Sequence, residues 1–261
     1  MAGEYSTILY DGGHPVATLT LNRPDKRNPI GPATLGEMVH ALTAAQADSR
    51  VRVIVLTGAG KVFSAGGDLA QLSGQRGETA DQAPPRSLVE FLTFMHELGK
   101  PVIAKVNGHA LAGGLGLVVA CDLAIASDEA TFGTTEIRVG LWPMMISAEI
   151  SRAVGRKVAL DLMLTGRRVA ASEAVAMGLV NRAVAAADLD RETQALAESI
   201  AAHSPATMAL GLRSFYRSAD MEWGPALAYL EGQLAQVLSL EDAREGLAAF
   251  LAKREPVWKG R

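Results

Sequence analysis

The apolar positions change period along the chain. Thr7-Ile-Leu-Tyr10 and Val16-Ala-Thr-Leu-Thr-Leu21 are rich in β-branched and aromatic residues and flank Asp11-Gly-Gly-His-Pro15. That pattern predicts two strands joined by a hairpin loop longer than two residues. A loop with three prolines and three basic residues follows, Asn22-Arg-Pro-Asp-Lys-Arg-Asn-Pro-Ile-Gly-Pro32. From Leu35 to Ala47 the apolar residues recur at helical spacing. Val51 to Leu56 is a β-branched run closed by Thr57-Gly-Ala-Gly60, a buried strand and its turn. Leu88 to Leu98 predicts a helix, Pro101 to Val106 a strand ended by Asn107-Gly108, Gly113 to Ala120 the start of a helix, and Leu123 to Ala126 another strand. Short buried strands alternating with helices predict an α/β layout.

Beyond about Gly155 the chain is mostly Ala, Leu, Glu and Arg at helical period. Ser172–Met177, Ala187–Ala202, Pro205–Ala219, Trp223–Leu238 and Glu241–Lys253 all read as helices, so a β-rich core gives way to an all-helical part. Gly74 to Pro85, rich in Gly, Gln and Pro, predicts a mobile surface loop. No internal repeat is visible.

Composition narrows the classes. The 261 residues carry a net charge of −3, with 49% hydrophobic and 20% charged residues, an ordinary soluble globular balance. This excludes an overall electrostatic footprint for nucleic acid, though not a local basic patch for a phosphorylated ligand. The one cysteine, Cys121, lies in an apolar run and reads as a small buried hydrophobe, which permits no disulfide framework. The N-terminus lacks the basic and apolar regions of a secretory signal, and no apolar run reaches the roughly 18 to 20 residues that span a bilayer. These features predict a soluble, cytoplasmic protein that binds neither nucleic acid nor membrane.

Two glycine-rich turns carry the candidate chemistry. Phe63-Ser-Ala-Gly-Gly-Asp-Leu69 follows the Val51–Leu56 strand, and Gly108-His-Ala-Leu-Ala-Gly-Gly-Leu-Gly116 follows the Pro101–Val106 strand. Glycine lets backbone approach a ligand closely, and a helix N-terminus leaves N–H groups free. Two such turns brought together would aim two amides at one carbonyl oxygen, an oxyanion hole. Tight strand–helix turns that need glycine only for packing would look the same.

The chain resembles the enoyl-CoA hydratase/isomerase (crotonase) family. The resemblance rests on Leu21-Asn-Arg-Pro24, Phe63-Ser-Ala-Gly-Gly-Asp68, Gly108-His-Ala-Leu-Ala-Gly-Gly114, Ala120-Cys-Asp122, Phe132-Gly-Thr-Thr-Glu136, Leu164-Thr-Gly166, Ala174-Val-Ala-Met-Gly-Leu-Val180 and Phe250-Leu-Ala-Lys-Arg254, in family order over almost the whole chain. It implies an α/β crotonase (ClpP-like) spiral of repeated ββα units, with the acyl-CoA site in a core over residues 1–200. It also implies a helical region over 201–261 used in trimerisation, giving a homotrimer or a dimer of trimers. The substrate would be an acyl-CoA thioester. No metal, nicotinamide or flavin is implied, and coenzyme A enters only as part of the substrate.

Carried over position by position, the resemblance makes Gly67 and Gly113 the oxyanion amides, with Ala65, Gly66, Asp68 and Leu69 completing the first binding turn. Arg23, Lys26 and Arg27 lie in the segment that contacts coenzyme A, and Lys253 would reach the coenzyme A of a neighbouring subunit. Asp68 and Asp122 also read as local caps, and His109 as non-catalytic. Hydratases of the family have two glutamates. The second falls on Glu136, but the first falls on Gly116. The aspartate of dienoyl isomerases would stand at Met144. A Pro-Gly-Ala-Gly-Gly-like turn is replaced by Leu141-Trp-Pro-Met-Met-Ile-Ser147, where Trp142, Met144 and Met145 either reshape the acyl pocket or pack a core or interface.

A lone Glu136 fits a proton shuttle with a raised pKa better than it fits hydration, which needs a water held and deprotonated. The expected reaction is proton transfer on an enoyl-CoA through this single glutamate, double-bond isomerisation or hydration, with the lone Glu136 tilting the reading towards isomerisation. Hydration of a branched or unusual enoyl-CoA, hydrolase or carbon–carbon lyase chemistry on an acyl-CoA, and a non-catalytic coenzyme A-binding subunit remain as alternatives.

Overall fold

The computed structural model describes residues 5–68, 71, 73–74 and 83–261. Leu69 and most of the loop expected over Gly74–Pro85 lie outside the described residues. A hairpin of β1 (Ile8–Asp11) and β2 (Val16–Leu21) pairs Ile8 with Leu21. On β2 lies β4 (Val53–Gly58), then β7 (Val102–Val106), β9 (Leu123–Ser127) and β12 (Arg182–Val184), each parallel to its neighbour. The second sheet is made of β5 (Val62–Ser64), β8 (His109–Leu111), β10 (Thr131–Gly133) and β11 (Val169–Ala170), in the order β11-β10-β8-β5. A two-residue pairing joins β3 (Pro29–Ile30) to β6 (Gly66–Gly67). Each of β4, β7 and β9 in the large sheet is followed in sequence by a short strand of the small one, and this is the repeating turn of the spiral.

Among elements lying wholly within the described residues, the α-helices are α1 (Pro32–Ala47), α2 (Leu88–Glu97), α3 (Gly113–Val119), α4 (Met144–Ala153), α5 (Arg156–Thr165), α6 (Ala171–Met177), α7 (Leu189–Ala201), α8 (Pro205–Ser218), α9 (Trp223–Ser239) and α10 (Glu241–Leu251). All six residues of β4 are buried, as expected of a central parallel strand covered on both faces. Its side chains alternate. Ile54 and Leu56 join Leu19, Leu21, Val102 and Ala104 in the main core, whereas Val53 and Val55 meet Ala197 and Ala201 of α7 behind the sheet.

The N-terminal strand is tied to α1 by a buried carboxylate. Glu37 accepts from the amides of Ser6 and Thr7 at 2.9 and 2.8 Å and from their hydroxyls at 2.7 and 2.6 Å. Burial alone raises its pKa, but the four bonds outweigh it and hold the carboxyl below its ordinary value. The pKa is lower in the folded state than in the unfolded one. This stabilisation is therefore present above the ordinary glutamate range and is lost as pH falls through the folded value. Glu37→Gln is expected to cost about 1.5–3 kcal/mol at neutral pH. Urea denaturation should show the gap from wild type narrowing in acid.

Two aspartates behave differently. Asp68 caps its own turn, accepting from the amide of Gln71. Asp122, also expected as a local cap, instead bridges distant elements: it accepts from the amide of Val102 and from the Tyr216 hydroxyl on α8. Cys121 beside it is buried, with its thiol pushed well up by desolvation. The C-terminal helices leave large apolar side chains exposed, among them Phe215, Trp223, Leu234 and Phe250. Among the described residues no helix is long and apolar enough to cross a membrane.

Candidate active site

The first glycine turn is stapled to the basic loop. Asn28, buried and with a φ of 53°, donates to the carbonyls of Ala59, Val62 and Phe63. Ser64 donates to the Asn28 carbonyl and accepts from Gly66. The amide of Ala65 donates to Arg27, and Ile30 pairs with Gly67. The second turn leaves β8 through Ala112, which has a φ of 51° and donates to the Gly133 carbonyl. A positive φ outside glycine marks stored strain of the kind found where backbone is held for a ligand. Helix α3 begins on the next residue, Gly113, and its first amides have no carbonyl one turn back to bond.

The two turns abut. Gly66 has a φ of 99°, and a Cβ there would lie 2.6 Å from Ala112 Cβ and 2.8 Å from the Leu111 carbonyl oxygen. A Cβ on Gly113 would lie 3.6 Å from the amide nitrogen of Gly67. The backbones of residues 67 and 113 thus face the same space.

That space is a cavity of about 530 Å³. Ala65, Gly67, Asp68, Ala112 and Gly113 form its polar end, and Glu136 enters from the 3₁₀ turn after β10. The remaining wall is mostly apolar, with Trp142, Met144, Met145 and Ile146 supplied by the start of α4 and the residues before it. Glu136 is held in an unusual state. Its Oε2 is buried and has no hydrogen-bond partner among the described residues. Burial raises its pKa, opposed only by a bond from its own amide. A carboxyl whose pKa is raised by desolvation, with no partner among the described residues to fix its proton, is suited to giving and taking protons.

The sequence profile of the enoyl-CoA hydratase/isomerase family matches residues 11–261. The chain belongs to the enoyl-CoA hydratase/isomerase family. A provisionally named enoyl-CoA hydratase of Thermus thermophilus is 42% identical over 253 residues, covering 95% of this chain and 99% of that protein. The crystal structure of a Mycobacterium smegmatis enoyl-CoA hydratase superposes with a TM-score of 0.87 at 37% identity, over 97% of this chain and 99% of that one. The human enoyl-CoA hydratase domain-containing protein 3 gives 0.88 at 31% identity, over 97% and 100%. The fold is the crotonase spiral, and the chain is an enzyme of the hydratase/isomerase class.

Within this crotonase the expected residues divide. Gly67, Gly113, Glu136, Ala65, Asp68, Trp142 and Met144 converge on the one cavity. Gly66 stands behind it as a spacer. Arg23, Lys26 and Arg27 flank the first turn through the Arg27–Ala65 bond but do not line the cavity. Lys253 follows α10, is exposed and does not line the cavity. His109 is exposed and pairs with Thr131.

Sequence reasoning missed Arg86 and Ile146, both of which line the cavity. Arg86 precedes a capping box at Ser87 and Glu90, a pattern that was readable. Ile146 answers the question raised by Gly116. A Cβ on Gly116 would fall 2.3 Å from Ile146 Cγ2, so α4 occupies the niche where the first family glutamate would begin. Gly116→Ala is therefore expected to lower the melting temperature. Overpacking costs about 1–3 kcal/mol, more than the helix-propensity gain of up to about 1 kcal/mol. Adding Ile146→Ala should relieve the clash, leaving the double variant less destabilised than the sum of the two single changes.

Proposed function

We propose that this enzyme shifts the double bond of an enoyl-CoA through one carboxylate. The thioester oxygen accepts from the amides of Gly67 and Gly113. Glu136 removes a proton from C2 of a 3-enoyl-CoA, and the electron pair spreads onto the thioester oxygen and, through the C3–C4 double bond, onto C4. The two amides and the start of α3 stabilise that charge. Glu136 then returns the proton at C4, giving the 2-enoyl-CoA. No atom is gained or lost. Arg23, Lys26 and Arg27 meet the coenzyme A phosphates, with Lys253 contributing from a neighbouring subunit. Trp142, Met144 and Met145 bound the acyl chain, and the exposed apolar faces of α8 to α10 meet in a trimer.

The observation that carries this reading is the filled niche at Gly116. Hydration needs a water held from a second side, and the branched methyl of Ile146 takes the place of the group that would hold it. Asp68, the other carboxylate on the cavity among the described residues, already accepts from the Gln71 amide.

The test is label transfer. A 3-enoyl-CoA deuterated at C2, turned over in ordinary water, should place part of the deuterium at C4, because one buried carboxyl carries it. Complete washout, or a 3-hydroxyacyl product, would overturn the reading. The same assay run against pH checks the carboxylate. The acid limb of kcat/KM should fall at a pH above the ordinary glutamate value of 4.5, in the direction that burial of Glu136 demands.

A further inference from the structure

A second cleft lies at the far end of α1, a helix that also lines the catalytic cavity. Leu35 of α1 lines the cavity, whereas Gln46 of the same helix lines the cleft, about 16 Å further along at helical rise. The cleft encloses about 710 Å³ between the end of α1, Lys100, the start of α8, the end of α9 and the C-terminal segment 258–261.

Its lining is one-sided in charge. Arg52, Lys100, Arg213, Lys259 and Arg261 line it, and no aspartate or glutamate is among the described residues that do. A chain of net charge −3 places five of its 25 cations on one concave surface. Several of these charges are fixed by the fold. The Lys100 ammonium is held by the carbonyls of Ala45, Asp48 and Val51, each at 2.6 Å. One guanidinium nitrogen of Arg52 donates to the Ala201 carbonyl. Lys259 and Arg261 share Glu241, which offsets part of their charge, and the Arg261 carbonyl accepts from the amide of Asp242. Arg213 lies over Gly99 and has no hydrogen bond or acidic partner among the described residues. Carbonyls orient a cation without neutralising it. Asp48 lies close enough to Lys100 to offset part of its charge, whereas Arg52 and Arg213 have no acidic partner among the described residues. Gln46, Ser49, Gln236 and Ser239 add neutral hydrogen-bonding groups to the same walls.

We infer that this cleft is a second ligand site, separate from the catalytic cavity, and that it binds a small oligophosphate. A cluster of cations with a preset guanidinium geometry suits several phosphate oxygens at once. The volume falls within the range of small-molecule sites.

Calorimetric titration of the full chain with inorganic tripolyphosphate tests this. The wild type should bind, and raising salt from about 50 to about 200 mM should weaken it, since exposed charge pairs are screened. Arg213→Glu should weaken binding at least tenfold and Arg52→Gln several-fold, with both variants melting near wild type and turning over substrate at the wild-type rate. Lys26→Ala with Arg27→Ala, placed beside the catalytic cavity, should leave the titration unchanged. That control separates this inference from the proposed chemistry. No heat with the wild type would overturn it. So would binding that survives Arg213→Glu but disappears in the Lys26/Arg27 variant, or an Arg213→Glu protein whose only change is a smaller assembly in sedimentation.

Discussion

Glu136→Gln is expected to lower the isomerisation rate by about 10² to 10⁴-fold, the usual contribution of a positioned acid or base. The amide keeps the size of the carboxyl and removes the proton that is shuttled. The loss should appear in kcat and in kcat/KM alike, because the interaction removed belongs to the transition state. The same change should raise stability at neutral pH. Glu136 has a buried oxygen without a hydrogen-bond partner among the described residues and a pKa raised by desolvation, so its ionised form is more costly in the folded state than in the unfolded one. That cost is present above the folded pKa and disappears once pH falls below the ordinary glutamate value. Thermal melts should therefore place the variant above wild type at neutral pH and level with it in acid. A variant that is inactive and less stable at every pH would mean that Glu136 is a structural carboxylate.

Gly66→Ala is expected to reduce kcat by about 10² to 10³-fold, the effect of removing one oxyanion donor, without touching a reacting group. Gly66 occupies the left-handed region at 99°, and its Cβ would run into the backbone of the second turn at Leu111 and Ala112. Neither side can retreat freely. Ala112 is itself strained and bonded to Gly133, while the first turn is clamped by Asn28 and Ser64. The two turns must part, and with them the amides of Gly67 and Gly113. KM should change less than kcat, and substrate titration should show binding retained. Equal losses in both would mean that the substitution merely unfolds the site, which a melting curve would also show.

How much of this was legible in the sequence differs element by element. The long β-branched runs of β2, β4, β7 and β9 announce themselves, because strands buried on both faces need apolar residues at every position. Three-residue strands such as β5, β8 and β10 do not. They pair with strands some 20 to 50 residues away, and a period cannot be read from three residues. Helix α4 was hidden for another reason: Ile146 and Ile150 have helical spacing, but the segment drew notice for its departure from the family turn. The glycine turns were readable, since close approach leaves no other residue possible at Gly66. What fills the space beside Gly116 was not, because the occupant lies 30 residues on, and one sequence does not say which side chain closes a gap left by a glycine. The placement of Arg86 depends in the same way on α2 packing beside α1.

The most direct test of the one-carboxylate account is the product partition. Purified enzyme would be given a 3-enoyl-CoA and, separately, crotonyl-CoA in deuterated water, and the products followed by NMR. The account predicts conversion of the 3-enoyl to the 2-enoyl thioester with no 3-hydroxyacyl-CoA from either substrate. Rapid formation of 3-hydroxyacyl-CoA from crotonyl-CoA would contradict it, showing that water is held and activated although Ile146 fills the space beside Gly116.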